Sequence, residues 1–466
     1  MPPPDVSALA ERPRTSVCSS WFPVTTGRDT VSLPRYFPAG TQYFYGYPAG
    51  QDSQFFNRVP PVSEELVAAR SLVCAGASVR PIVFPAAIEP HVLSILRDDL
   101  GVSLVRDDCI FRLPETIGPE IVGEHRNVLV KEALRNLADE GGFIMAQPYD
   151  DAMLKDRFQF PTDWTIWLND KVHLQSIVPA AYLPDRYAVF PSGAAFAQYT
   201  GKFPLPCVVK VSSSSSGDGV RICRTRRQLL DAQGEYAEIR SSILVQEYID
   251  VARNFGIQFG IPHDRRFPVE IIGVNEQLTT PEGEFIGGIV DPDHLMPTID
   301  GVNDLLLRVI LPAVRERGWY GVGGFDVLVD HHGRFFITDP NFRMTGMTPY
   351  LCEARNERIR KRMVSFTGTF HGDSESFRRA IVPLAVEGHP DQLLHLIALT
   401  HHGDTYRMNG SMLFDDDADV APSAAHLLQM GFASKALEKL RKNGRSHYPD
   451  FPGTQGAFTG SVGDSA

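Results

Sequence analysis

No apolar run in this sequence is long enough to cross a bilayer; the best stretch, Leu305 to Val314, is broken by Arg308 and Pro312. Excess positive charge is missing too. A net charge of −11 and a pI of about 5.7 disfavour adhesion to nucleic acid phosphates or anionic lipid, so neither nucleic acid nor membrane is an expected partner. Cysteine is sparse: the six residues Cys18, Cys74, Cys109, Cys207, Cys223 and Cys352 lie far apart with no Cys-x-x-Cys pair. That usage argues against a disulfide frame or a zinc site and fits reduced thiols in the cytoplasm. The opening Met-Pro-Pro-Pro-Asp-Val-Ser has neither a basic nor an apolar segment, and no secretory signal is expected. Gly-x-x-x-x-Gly-Lys-Ser/Thr and Gly-x-Ser-x-Gly are both absent, which removes P-loop and α/β-hydrolase chemistry.

What is present is a soluble composition, 43% hydrophobic and 22% charged, over 466 residues, enough for two to four lobes. Residues 1 to about 60 are rich in Pro, Gly and aromatics without a period and read as an irregular arm. Alternation follows: a strand at Ser78–Phe84, a helix at Glu89–Leu100, a strand at Val102–Val105, a helix at Glu120–Ala138 and a strand at Gly142–Ala146, the pattern of an α/β domain. Further on, strands are expected at Phe203–Val211, Val220–Ile222, Ile243–Asp250, Phe255–Ile261, Pro268–Val274 and Gln277–Thr280, with helices at Arg226–Ile239 and Asp304–Arg317. The C-terminal part reads as a strand at Ala380–Glu387, a helix at Pro390–Thr400 and an amphipathic helix at Ala424–Lys442. His401-His402-Gly403-Asp404 is expected to be a polar helix end rather than a metal site. Asp291-Pro-Asp293-His294 and Asp415 to Asp419 read as solvated acidic turns.

Two stretches carry chemistry. Phe325–Val329 and Phe335–Ile337 are apolar strands joined by turn formers, a hairpin whose far ends bring together Asp326 with Asp339, Asn341 and Arg343. Carboxylates with an amide oxygen suit a hard cation such as Mg²⁺, which completes its shell with phosphate and water. The second stretch is Val-Val-Lys210-Val followed by Ser212, Ser213, Ser214, Ser215, Ser216, Gly217 and Gly219 before the next strand. A lysine inside an apolar strand needs an anionic partner, and Ser and Gly let backbone N–H groups approach phosphates closely.

In order, Asn169-Asp170-Lys171, Phe203 to Lys210 with its serine-glycine loop, Val245-Gln246-Glu247-Tyr248-Ile249, Gly324-Phe-Asp326 and Asp339-Pro-Asn341-Phe-Arg343 resemble the ATP-grasp superfamily of carboxylate–amine ligases over about residues 165 to 350. The resemblance implies an α/β N-terminal domain with its arm (1–160) and a two-lobed α+β ATP-grasp fold (161–365); the residues beyond read as an extra C-terminal α+β region (366–448) and a Gly-, Thr- and Ser-rich tail expected to be disordered (449–466). It implies ATP and Mg²⁺ as cofactors: Lys171, Lys210, the serine-glycine loop and Gln246 to Ile249 on the nucleotide, Asp326, Asp339 and Asn341 on the metal, and Arg343 with Lys210 as catalytic groups. The implied reaction joins a small-molecule carboxylate to an amine or peptide through an acyl phosphate, releasing ADP. A kinase and a non-catalytic nucleotide-binding regulator are the alternatives, and a homodimer is open. Three departures stand out: Asp339 where relatives carry glutamate, Gly324 where some carry arginine, and no clear ribose acid, Asp250 being early. The flanking regions resemble natural-product peptide ligases of the pheganomycin type, which implies a role in antibiotic biosynthesis.

Overall fold

A computed structural model describes residues 32–46, 61–145, 148–149, 151–214, 219–280, 283–291, 300–356, 359, 361–386, 389 and 392–443. Most of the aromatic arm, Ser215, Ser216 and Gly217 at the loop tip, Asp293 with His294, and the C-terminal tail lie outside the described residues. Among the described residues no helix is long and apolar enough to cross a membrane.

The N-terminal α/β domain is built on a parallel sheet of β1 (Tyr43–Gly46), β2 (Val79–Val83), β3 (Phe111–Arg112) and β4 (Gly142–Met145) in the order β3-β2-β1-β4. β1 corrects the expectation of an irregular arm. It lies between β2 and β4, and all four of its residues are buried. A parallel strand covered on both faces has no polar alternation to read. The strand expected at Val102–Val105 does not form. Val105 N–H bonds to the Leu72 carbonyl instead, and β2 takes β3 as its neighbour.

β5 (Arg186–Phe190), β6 (Cys207–Val211), β7 (Val220–Cys223) and β8 (Ile243–Glu247) form an antiparallel sheet in the order β5-β8-β6-β7. β6 and β7 are the expected hairpin. The helix Arg226–Glu235 starts at a reciprocal cap between Thr225 and Gln228 and packs Leu229 and Ala232 against Val209 and Val245.

The third sheet has eight antiparallel strands: β9 (Val251–Ile261), β10 (Glu270–Thr279), β11 (Phe285–Val290), β12 (Gly321–Asp330), β13 (Phe335–Asn341), β14 (Arg362–His371), β15 (Leu394–His402) and β16 (Thr405–Phe414), ordered β13-β12-β9-β10-β11-β14-β16-β15. Expectation and structure differ here in three places. The strands expected at Pro268–Val274 and Gln277–Thr280 are one strand, β10, with a bulge between Ile271 and Gly273. Ala380 lies in a helix, Ser374–Ala385, capped by the Asp373 side chain, and its buried Phe377, Ala380, Ile381 and Ala385 follow a helical period. The helix expected at Pro390–Thr400 is instead β15, a short apolar run whose type periodicity alone does not decide.

His401 to Asp404 consequently end a hairpin rather than a helix. At that end a His401 ring nitrogen lies 3.0 Å from one of His91, which ties the sheet to the N-terminal domain. The acidic turn after β16 is ion-paired, Asp415 with Lys361 and Asp417 with Arg362.

Candidate active site

Side-chain alternation sorts the two faces of β9. Phe255, Ile257, Phe259 and Ile261 pack on Val302, Leu306 and Ile310 of the helical segments behind the sheet, whereas Asn254, Gly256 and Gln258 line a cleft of about 1300 Å³ in front. Gly256 pairs with Asp326 on one side and Asn275 on the other. A Cβ on Gly256 would come within 2.8 Å of the Asn275 amide oxygen, so the glycine keeps the cleft floor low beside the acidic residues.

On the next strands the register sets Asp326 opposite Asp339 and Gly324 opposite Asn341, and all three polar residues line the cleft. The four-stranded sheet faces them. From β6, Lys210 donates through Nζ to the Thr338 carbonyl at 3.3 Å. Lys171 follows Asp170, whose side chain caps the turn by accepting from Val172 N–H. Its Nζ lies 3.2 Å from Asp339 and donates to the Ser214 carbonyl at 2.6 Å. Gln246, Glu247, Tyr248 and Ile249 line the same cleft, with Val208, Ile222 and Leu328 as apolar walls. Arg224 stacks on the Tyr248 ring 4.8 Å away and donates to its hydroxyl.

Arg343 also lines the cleft. Its Nη1 donates to Asn169 Oδ1 at 2.9 Å, and the same oxygen accepts from Phe342 N–H, so Asn169 fixes both the arginine and the chain that carries it. Sequence reading quoted Asn169 without giving it this role, and it missed Gln277, which donates to Asp326 Oδ1 at 2.7 Å. Of the serine-glycine loop, Ser214 reaches the cleft. Ser212, Ser213 and Gly219 do not line it; Ser212 N–H bonds to Ser242 and the Gly219 carbonyl accepts from Val211, closing the hairpin. Asp250 has an 81% exposed side chain and does not line the cleft.

Burial and mutual charge shift two of these groups. Protein packed around Asp326 and the neighbouring Asp339 carboxylate push its pKa up to about 7, against the pull of the Gln277 hydrogen bond. Burial draws Lys210 down to about 8; Asp339 opposes that shift and the Lys171 charge adds to it. Two carboxylates and an amide oxygen on one side, with two lysines and an arginine around them, fit a hard cation together with a polyanion.

Residues 184–341 match the family model described as L-aspartate–L-methionine ligase, ATP grasp. D-alanine–D-alanine ligase of Marinomonas sp. (strain MWYL1) is 31% identical over 154 residues, 31% of this chain and 45% of that protein. The enzyme of the same name from Geotalea uraniireducens (strain Rf4) is 29% identical over 165 residues, 35% and 51% of the two chains. The chain thus spans about half the length of these curated relatives. The ADP complex of N5-carboxyaminoimidazole ribonucleotide synthetase superposes with a TM-score of 0.52 over 85% of this chain and 99% of that one, at 10% identity, a likeness of fold alone. An α/β domain leading into two antiparallel sheets with a polar cleft between them is the ATP-grasp fold, and residues 184–341 of this chain are similar to an ATP-grasp ligase domain.

Proposed function

We propose that this protein is an ATP-dependent, ADP-forming ligase that joins a carboxylate to the amine of an amino acid or peptide. The observation that carries the reading is Lys171 Nζ at 3.2 Å from Asp339, on a sheet end shared with Asp326 and Asn341 and faced by Lys210. Cations for a triphosphate and oxygen ligands for its metal meet at one point. Asp326, Asp339 and Asn341 would hold Mg²⁺, whose charge offsets that of the phosphates. The apolar walls at Val208, Ile222 and Leu328 would take the adenine beside the main chain of Glu247 to Ile249. Of the serine-glycine loop, Ser214 would reach the phosphates.

In this reading an oxygen of the substrate carboxylate attacks the γ-phosphorus. The bond to the bridging oxygen breaks, ADP leaves and an acyl phosphate remains. An amine then attacks the acyl carbon; the C–N bond forms, the C–O bond to phosphate breaks, and the nitrogen gives up a proton. Lys171 and Lys210 hold the phosphates in line, and Arg343, oriented by Asn169, offers its planar fork to the acyl oxygens. The cleft exceeds the ~300–1,000 Å³ of a pocket for one drug-sized ligand, which leaves room for nucleotide and two further substrates. A role in natural-product biosynthesis of the pheganomycin kind, in the cytoplasm, completes the proposal.

Incubation with ATP, Mg²⁺ and pooled amino acids is expected to release ADP and phosphate and to yield a product lighter by one water than its two parts. A stable phosphorylated amino acid would make the protein a kinase instead. Lys210→Ala is expected to lower kcat/KM for ATP by about a hundredfold, the scale of one lost phosphate-clamping charge. An unchanged value would move the phosphates elsewhere.

A further inference from the structure

The cleft does not end at Arg343. Beyond it, on the side away from the adenine walls, lies a compartment lined by Arg70, Asn275, Gly346, Ser365, Thr367 and Asn409. These residues come from distant parts of the chain. Arg70 opens the helical turn Arg70–Val73 of the N-terminal domain, Ser365 and Thr367 lie on β14, and Asn409 lies on β16.

Arg70 is fixed but not neutralised. Its Nε donates to Asn409 Oδ1 at 3.0 Å, and the Asn409 amide in turn donates to the Thr367 hydroxyl at 2.8 Å. Asn409 is buried, so this relay sets the plane of the guanidinium. Among the described residues no carboxylate pairs with Arg70, although aspartate and glutamate outnumber lysine and arginine in this chain, 56 to 45. A Cβ on Gly346 would sit 3.0 Å from Arg70 Nη1, so the bare glycine leaves the fork room in its present position. Asn275 supplies an independent sign of a ligand. It is 1% exposed on the same cleft floor, and neither of its amide atoms has a hydrogen-bond partner. A buried amide left unmatched is destabilising unless something polar meets it.

From this we infer that Arg70, held by Asn409 and Thr367, binds the free carboxylate of the amine-bearing substrate, so that the acceptor is an α-amino acid rather than a simple amine. The inference rests on the ligase reading above. Gly346 is three residues past Arg343, at most roughly 10 Å along an extended chain. An amino acid whose nitrogen attacks an acyl phosphate formed beside Arg343 carries its own carboxylate a few bonds further out, toward Arg70. A planar guanidinium with both terminal nitrogens available matches a carboxylate edge to edge, and the Asn275 amide can meet polar atoms of the same substrate.

The test compares an accepted amino acid with its carboxamide as acceptor. Wild-type protein is expected to favour the acid by about thirtyfold in kcat/KM, the scale of one lost hydrogen bond to a charged group. Arg70→Ala should erase that preference by raising KM for the acid while leaving KM for ATP unchanged, and Arg70→Lys should restore part of it. An acid preference untouched in Arg70→Ala, or a rise confined to the acyl donor, overturns the assignment while the ligase reading stands. Calorimetry with free amino acids and a non-hydrolysable ATP analogue reads the subsite without turnover. Binding that Arg70→Ala abolishes supports it; equal binding by the variant, or no binding by wild type, overturns it.

Discussion

Asp339→Asn is expected to lower kcat by about a thousandfold, close to 4 kcal/mol of transition-state stabilisation, and to leave the melting temperature unchanged. The exchange keeps the shape of the side chain and removes one charge. Asp339 makes an ion pair with Lys171 at 3.2 Å, attracts Lys210 and repels Asp326, so the variant loses attraction and repulsion together, which offset each other in part in the folded protein. For turnover the two effects do not cancel. In the proposed reaction a neutral amide would be a poorer ligand for a hard cation, and the phosphoryl group being transferred would lose the charge balance that Lys171 and Lys210 are proposed to set. ADP release measured at saturating ATP and Mg²⁺, beside thermal melting of both proteins, checks the claim. Wild-type turnover in the variant would remove Asp339 from the site, and a collapsed melting curve would assign it to the fold.

The sequence made the local parts of this site legible. The β12–β13 hairpin depends on residues a few positions apart, and its turn formers, apolar strands and polar far ends are contiguous in the chain. Lys210 announced itself as a charge within an apolar strand. Elsewhere the site's own chemistry hid the fold. β10 reads as two strands because Asn275 and Glu276 interrupt its apolar pattern; Asn275 is polar because it lies on the cleft floor and Glu276 because it pairs with Arg253. β1 and β15 are buried along most of their length, and a short buried run carries no period that separates strand from helix. The Arg70 contact with Asn409 spans 339 positions, and no local pattern in either segment points to the other. Sequence reading of a site of this kind finds the groups that sit on one hairpin and misses the ones that tertiary packing delivers.

Arg126→Ala should be among the most damaging single changes outside the cleft, because it takes the guanidinium away from two buried carboxylates inside the N-terminal domain. Arg126 is 1% exposed on the helix Gly123–Leu137. Its Nε lies 3.2 Å from Glu64 and its Nη2 3.4 Å from Glu65, and its Nη1 donates to the Gly118 carbonyl at 2.7 Å. The guanidinium also stacks 4.5 Å from the Phe84 ring. His402 Nε2 comes within 2.7 Å of Glu65 without the alignment of a hydrogen bond, so it does not replace the arginine. Breaking a buried pair by removing one partner costs about 3–5 kcal/mol, since the other charge stays desolvated. At some 2–4 °C per kcal/mol for a domain of this size class, melting should fall by at least about 6 °C. Adding Glu64→Gln and Glu65→Gln to Arg126→Met should recover much of the loss, because uncharged, well-packed groups of similar volume do not carry the penalty. If Arg126→Ala melts with the wild type, the charges are not buried together. If the triple variant melts as low as the single one, what matters is the packing of the arginine on Phe84 and not its charge.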